Sequence, residues 1–368
     1  MRSELLVVGS GLTGATIARL AREAGHSVTV VERRSAVGGN VRDERHASGI
    51  VVHSFGPHFF RTSSERIWRF VTGITPFRPF AAEIMTLIDG AFEHWPVTRE
   101  YLDRALGAGW TPPFTSEPKN FAEACLAMMP RLVYEKFVRG YTEKQWGVPA
   151  SMLDAALAGR FEVRMTGDRR LKTSAYQGLP AIGYSAFMAA LLGDTEVLLG
   201  VDYLKHRSEL AGRRLTVFTG PIDEFFGFDL GRLHYRGQRR EHIWLEKIGY
   251  KHATVATNFP DPAAGAFIRE IEWKHMMPAD EARTIPGSLV TREVPISPAD
   301  PDGFEYPFPN AENRALYERY AERAGTLPDM LICGRLGEYR YYDMDQAIGR
   351  AMTLFERKVL PRIKGAVD

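Results

Sequence analysis

Cysteine is nearly absent, with only Cys125 and Cys333 in 368 residues. They form no CxxC pair and no metal-ligand spacing, so the chain is expected to be reduced and intracellular, with both thiols serving as small buried apolar side chains. An excess of charge is also missing: 47 Lys and Arg stand against 45 Asp and Glu, a formal net charge of +2. Without a long like-charge run, bulk binding to nucleic acid or to a membrane surface is not expected, and any anion must be met locally. No apolar run approaches the roughly 18 residues of a membrane span, and glycines rather than a cleavage site interrupt the first apolar segment. The expectation is a soluble, cytoplasmic protein. GxSxG, HExxH and zinc-ligand spacings do not occur, which removes the usual support for hydrolase or metal chemistry.

What is present begins at the N-terminus with "ELLVVGSGLTGATIARLAREAGHSVTVVERR". A β-type run, Leu5 to Val8, leads into Gly9, Gly11 and Gly14 of a GxGxxG. Helical periodicity follows to Gly25, and a second apolar run ends in Glu32, 18 residues beyond Gly14. This order suits a dinucleotide. A turn without Cβ atoms lets backbone N–H groups and a helix N-terminus approach a pyrophosphate, and the acid accepts from a ribose hydroxyl. Gly38 and Gly39 follow closely, and the pair resembles the extended motif of glutathione-reductase-like flavoproteins, which favours FAD over NAD.

The rest of the chain is interleaved, without repeats or low-complexity linkers. Val51 to Phe60 and Glu83 to Trp95 have strand-like content, and Asn120 to Gly140 reads as a helix. His242 to Tyr250, Ala266 to Lys274 and Ser288 to Ile296 suggest an antiparallel sheet, while Val217 and Leu331 to Gly334 look like strands returning to the nucleotide domain. The predicted class is α/β: a Rossmann-like FAD-binding domain carrying an inserted helical domain and an antiparallel β-sheet domain. The expected boundaries are 1–80 for the first part of the FAD-binding domain, 81–100 for the first part of the sheet and 101–165 for the helical insertion. A mobile loop and return to the FAD domain follow at 166–225, the substrate-side sheet at 226–310 and the C-terminal part of the FAD domain at 311–368.

Six segments, "GPHFFRTSSERIW", "GYTEKQWG", "YQGLPAIGY", "FTGPIDEFF", "TREVP" and "GRLGEYRYYDM", together resemble the bacterial UDP-galactopyranose mutase family in order and spacing over nearly the whole chain. The resemblance implies an isomerase that interconverts pyranose and furanose forms of a nucleotide-diphosphate sugar without net redox, through a covalent adduct of the sugar with N5 of reduced FAD. It further implies a nucleotide-sugar substrate, an external reductant for the flavin, and a homodimer.

The same resemblance assigns roles. Arg164 and Arg292 fall on the pyrophosphate-binding arginines, whose planar guanidinium suits a phosphate. Tyr176, Tyr306 and Tyr341 fall on phosphate-contacting phenols, and His58 near the flavin face. Phe137 and Tyr141, four apart and so on one face of a helix, offer a stacking surface for the base, with Trp146 closing the pocket. Arg335 corresponds to a residue near the cofactor and substrate phosphates. Tyr342, Asp343 and Met344 open a helix whose N-terminus points at the flavin and favours its anionic reduced form.

Departures from the family are concentrated. "GPHIFHT" is "GPHFFRT" here, placing Arg61 where the family has a histidine near the flavin and the sugar. "DMHQ" has become "DMDQ", with Asp345 for a histidine, and "NNYF" is replaced by Arg169-Arg170-Leu171-Lys172. These changes leave the sugar and the base undecided. Two other functions stay in view: an oxidoreductase like the flavin amine oxidases, which would need no diphosphate clamp, and an FAD-containing protein that binds nucleotide sugar without turnover.

Overall fold

The computed structural model describes residues 3–107 and 109–364. A five-stranded parallel sheet runs Glu196–Leu199, Val28–Glu32, Leu5–Val8, Leu215–Phe218 and Met330–Ile332 in spatial order. Leu5–Val8 is buried along its whole length, as a central parallel strand covered on both faces must be. It pairs with Val28–Glu32 on one side and Leu215–Phe218 on the other, so the order of winding reverses at this strand. That reversal leaves a crevice at its carboxyl end. The helix Leu12–Glu23 covers one face and packs against the C-terminal helix Met344–Leu354.

A second sheet has seven strands, ordered Tyr306–Pro307, Tyr235–Leu245, Ser288–Ile296, Arg269–Glu272, Ala256–Asn258, Ile84–Ile88 and Ala91–Trp95. It is antiparallel except where Ala256–Asn258 joins Ile84–Ile88 in parallel. A small separate sheet is formed by Phe60–Thr62, Tyr176–Pro180 and Phe77–Pro79. The helical insertion buries its own apolar cluster, including Leu102, Phe121, Cys125, Met129, Val133 and Phe137.

The continuous helix expected over Asn120 to Gly140 is broken. Phe121–Leu126 starts at Asn120, whose side chain accepts from the Glu123 amide at 3.0 Å, but Pro130 has no N–H to offer a preceding turn. A new helix starts at Arg131 and passes through a π-helical stretch, Tyr134–Arg139, before ending at Trp146. Val51 to Phe60 likewise divides into Val51–His53 and Phe60–Thr62, separated by the loop that carries Gly56 and His58. Cys125 and Cys333 are buried and unpaired among the described residues; burial pushes the Cys125 thiol up to about 12.

Candidate active site

The crevice at the reversal point is a cavity lined by Gly9, Gly11, Gly14, Glu32, Gly38, Gly39, Arg335 and Met344, eight of the predicted cofactor residues. Its floor is bare backbone for steric reasons. A Cβ on Gly14 would lie 2.0 Å from the Gly9 carbonyl oxygen, and one on Gly39, at φ +58°, would lie 3.0 Å from the Gly11 Cα. The helix starting at Leu12 has no side-chain cap, so its first N–H groups face the cavity unsatisfied and suit a pyrophosphate. Glu32 closes the far end, held by the Ser10 amide at 2.9 Å and the Ser10 hydroxyl at 2.6 Å on Oε2, and by the Arg34 amide at 2.9 Å on Oε1. A side-chain-free cradle, an uncapped helix and a fixed carboxylate fit an adenine dinucleotide.

The seven-stranded sheet presents one face beside this cavity, and its charges alternate across three strands. Arg240, Glu293 and Arg269 are register partners in a row. Arg240 Nε donates to Glu293 Oε1 at 3.1 Å and Arg269 Nε to Glu293 Oε2 at 2.5 Å. Burial would raise the Glu293 carboxyl, but the two guanidiniums win and hold it below the ordinary range. Arg240 also reaches Glu305 at 2.8 Å. Gly56, at φ +84°, lies so close that a Cβ would meet Glu293 Oε1 at 2.6 Å, which seats the His58 loop directly on this row.

Next to the row stand the phenols. Tyr306 and Tyr341 stack with centroids 5.7 Å apart and planes at 19°. The Arg160 guanidinium sits 4.2 Å from the Tyr341 ring centre and that of Arg335 sits 4.9 Å from it. Burial raises the Tyr306 and Tyr141 hydroxyls above the ordinary phenol value, so both stay protonated donors at neutral pH. Tyr141 shares this environment, with Arg269, Glu293, Arg160 and Tyr341 as its charged or titratable neighbours. Arg160 has no ion pair among the described residues.

His58 sits behind the loop in an aromatic nest. Its amide donates to His53 Nδ1 at 3.0 Å and its carbonyl accepts from Tyr184 at 3.0 Å. Burial pushes both imidazoles down, His53 to about 4, so both are neutral. His58 Nδ1 is buried without a partner among the described residues.

Several predicted residues are not where the sequence reading put them. Arg292 points to the opposite face of the sheet from Arg269, because neighbours in a strand alternate. There it pairs with Glu270 at 2.9 Å and covers the Phe267 ring at 4.8 Å. Arg164 is buried inside its own loop, donating to the carbonyls of Asp168 (3.2 Å), Leu171 (3.1 Å) and Arg170 and pairing with Glu162, so its guanidinium has no free edge for a phosphate. Tyr176 stacks flat on Trp68, 5.3 Å away at 11°, on the face of the small sheet away from the phenols. Phe137 and Trp146 are 4% and 6% exposed, inside the helical cluster; Phe137 is already stacked by Trp95 and has no open face for a base. Tyr342 turns from the cavity to Glu338, at 3.3 Å, and Asp343 pairs with Arg61 at 2.9 Å rather than lining the cavity.

Arg160, Arg269, Arg240 and Glu293, which the geometry brings to the cleft, are not among the residues the sequence singles out. The signal for the sheet residues was present but ambiguous: "FIREIE" and "VTREVP" each carry Arg-Glu in a strand-like run, and antiparallel pairing sets the Arg of one against the Glu of the other. One arginine must then face inward and the other outward, and the sequence does not say which. Arg160 lies in a 3-10 stretch, Ala155–Arg160, whose direction no periodicity reveals.

Comparison with known proteins places the chain by family and fold. The UDP-galactopyranose mutase family model matches residues 136–341, more than half of the chain, and an NAD(P)-binding Rossmann-like domain model matches residues 7–74. A probable UDP-galactopyranose mutase of Klebsiella pneumoniae is 28% identical over 364 residues, covering 95% of this chain and 92% of that one. A dTDP-fucopyranose mutase of Escherichia coli is also 28% identical, over 371 residues, with 95% and 97% covered. The crystal structure of a reduced UDP-galactopyranose mutase superposes with a TM-score of 0.75 at 15% identity, over 97% of this chain and 95% of that one.

Proposed function

The chain belongs to the UDP-galactopyranose mutase family, and on that premise we propose that it is a flavin-dependent isomerase interconverting the pyranose and furanose forms of a nucleotide-diphosphate sugar. The observation that carries this reading is the pair of guanidiniums, Arg160 and Arg269, set among the phenols of Tyr141, Tyr306 and Tyr341 beside the dinucleotide cavity. A flavin oxidase has no need of such a diphosphate clamp.

In this reading Gly9, Gly11, Gly14, Gly38, Gly39 and Glu32 hold FAD, with Arg335 and Met344 on its substrate side. FAD held there and reduced by an external donor would supply the nucleophile for the anomeric carbon. The protein does the rest. Arg160 and Arg269 grip the diphosphate and retain it after it leaves, since charge-assisted contacts strengthen as negative charge develops on the departing oxygen. Tyr141, Tyr306 and Tyr341 donate to the phosphate oxygens. The neutral imidazoles of His53 and His58 shape the loop that covers the reacting face and add no charge there.

Neither relative singles out the donor, because two equally similar proteins carry names with different bases and sugars. The test is to reduce the purified protein with dithionite and incubate it with UDP-galactopyranose, dTDP-fucopyranose and GDP- and CDP-linked pyranoses, separating products by chromatography. Furanose product from at least one donor is expected, with little turnover by the air-oxidised protein. Net oxidation of a substrate, or full turnover in the oxidised state, would overturn the assignment.

A further inference from the structure

Arg61 and Asp345, two of the positions at which the sequence departs from its family, lie against the same turn of chain. Arg61 Nη2 donates to Asp343 Oδ2 at 2.9 Å across 282 residues of sequence. The other oxygen of that carboxylate, Oδ1, accepts the Tyr341 hydroxyl at 3.0 Å. Asp343 is thus a bridge, with a cation from the small sheet on one arm and a cleft phenol on the other. Arg61 and Asp343 are partly shielded, with side chains 21% and 34% exposed.

Asp343 is also the N-cap of the helix Met344–Leu354, and its amide donates to Gln346 Oε1 at 3.0 Å. Two residues on, Asp345 takes the Gln346 amide at 2.9 Å and has Thr62, Asp343 and Arg61 as neighbours. Two carboxylates therefore crowd one helix start. The partial positive charge of the helix end relieves part of their repulsion, and Arg61 supplies the only full positive charge that bonds either carboxylate among the described residues. Without it, only the helix end and the capping box with Gln346 would hold Asp343 against that repulsion, and the carboxylate arm that takes Tyr341 would lose its fixed direction.

We infer that Arg61 is a positioning residue for Tyr341: by fixing Asp343 it sets the direction of the phenol that stacks on Tyr306 and carries Arg160 on its face. This rests on the mutase reading for the cleft's purpose, though not for the geometry. It also reassigns Arg61, whose guanidinium is engaged by the protein rather than turned to the sugar. Because the observed bond is a single Nη2 contact and not a two-pronged fork, an ammonium at the same place can replace it, whereas an imidazole is too short to reach.

The experiment is a double-mutant cycle of Arg61→Met and Tyr341→Phe, with Arg61→Lys as the conservative variant, on the FAD-loaded enzyme. Arg61→Met is expected to lower kcat about 10-fold, inside the range of coupling seen between directly contacting groups, with KM little changed. Combined with Tyr341→Phe it should add less than about 2-fold, and Arg61→Lys should recover most of the loss. In parallel, 3-fluorotyrosine placed at position 341 should give one narrow fluorine resonance in the parent and in Arg61→Lys, and a shifted or broadened one in Arg61→Met. That spectrum needs no turnover, so it separates this inference from the mutase assignment: inactivity of the parent toward every donor would sink the assignment alone. Additive losses in the cycle, or an Arg61→Met spectrum identical to the parent's, would overturn the positioning role.

Discussion

Of the four arginines proposed for the diphosphate, by family resemblance or by geometry, the structure divides Arg160 and Arg269 from Arg164 and Arg292, and alanine substitution tests the division directly. Arg269 is 19% exposed at its side chain, with Glu293 fully buried behind it, so its contact with a phosphate would be largely desolvated. Truncating one partner of a buried charge contact costs about 2–5 kcal/mol, which is about 30-fold to several thousand-fold in kcat/KM. Arg160→Ala is expected within the same range, because the residue keeps an exposed flank but its guanidinium end is desolvated against the Tyr341 ring. Arg292 is 38% exposed on the far face, and its partner Glu270 keeps Lys251 at 2.6 Å and His252 at 2.8 Å when it goes. Exposed pairs contribute about 0–1 kcal/mol, so Arg292→Ala should stay within about 5-fold of the parent. Arg164→Ala should act on its loop, speeding limited proteolysis within residues 161–175 while sparing FAD. The assay is kcat/KM on reduced enzyme with whichever donor turns over, alongside flavin content and thermal midpoint to detect misfolding. A loss of 30-fold or more in Arg292→Ala with a near-normal Arg269→Ala would show that the strand faces have been assigned backwards.

Other outcomes follow from the same geometry. Gly39→Ala is expected to purify with less bound flavin, since the new Cβ at 3.0 Å from Gly11 narrows the cradle at a left-handed position; a full flavin complement after dialysis would count against the fit. His53 is buried neutral, with its value pushed from 6.5 to about 4; as pH falls from 6.5 towards 4 the unfolded chain takes up the proton first, so stability is complete above that window and declines within it. The gap is worth about 3 kcal/mol. Urea titrations should show that decline in the parent and a flatter profile in His53→Asn, which keeps an acceptor for the His58 amide; identical profiles would refute the assignment. Glu270 is held down at about 2. Burial opposes this, and bonds from His252, Lys251 and Arg292 outweigh it. Its contribution is present above the ordinary value of 4.5 and is lost as pH falls from there to about 2, so the parent's stability advantage over Glu270→Gln should be far larger at pH 7 than at pH 2.5. The donor preference is expected to differ from UDP-galactopyranose, because departures from the family fall at residues 169–172 of the Arg164 loop and, through the turn that carries Tyr341, at Arg61 and Asp345; a clear preference for UDP-galactopyranose in the donor panel would show them to be neutral.

The nucleotide end was legible because its requirements are local. A strand, three glycines, a helix and an acid must be consecutive to build the cradle, and all were placed by spacing alone. Tyr306 and Tyr341 were found only through the family's motifs, and Tyr141 as a stacking surface through its spacing from Phe137; the structure sets the three phenols in one environment. What failed depends on which way a side chain points. Arg269 and Arg292 lie in strands of the same composition, and pleat direction is set by pairing partners far away in sequence. Phe137 and Tyr141 do share a helix, but the π-helical turn and the Pro130 break rotate Phe137 into the core beside Trp95. Arg164 looked available because nothing in "FEVRMTGD" reveals that the chain folds back to offer it carbonyls.

The row Arg240–Glu293–Arg269 on the cleft side has an inverted counterpart behind it, where Glu241, Arg292 and Glu270 are partners in the same three strands. Loss of a single codon in the segment between Trp273 and Ser288 would pull the strand Ser288–Ile296 along by one position. Glu293 would then stand between Glu241 and Glu270, three like charges abreast, while Val294 would take its place between Arg240 and Arg269 and leave two guanidiniums without their carboxylate. Opposite-charge neighbours across strands stabilise and like charges oppose pairing, so such a frame-preserving deletion should be rejected by the fold before substrate is ever met. Lengthening or shortening is expected to be tolerated instead at Gly249 and Gly265, where an added Cβ meets open space or only a flexible ring edge.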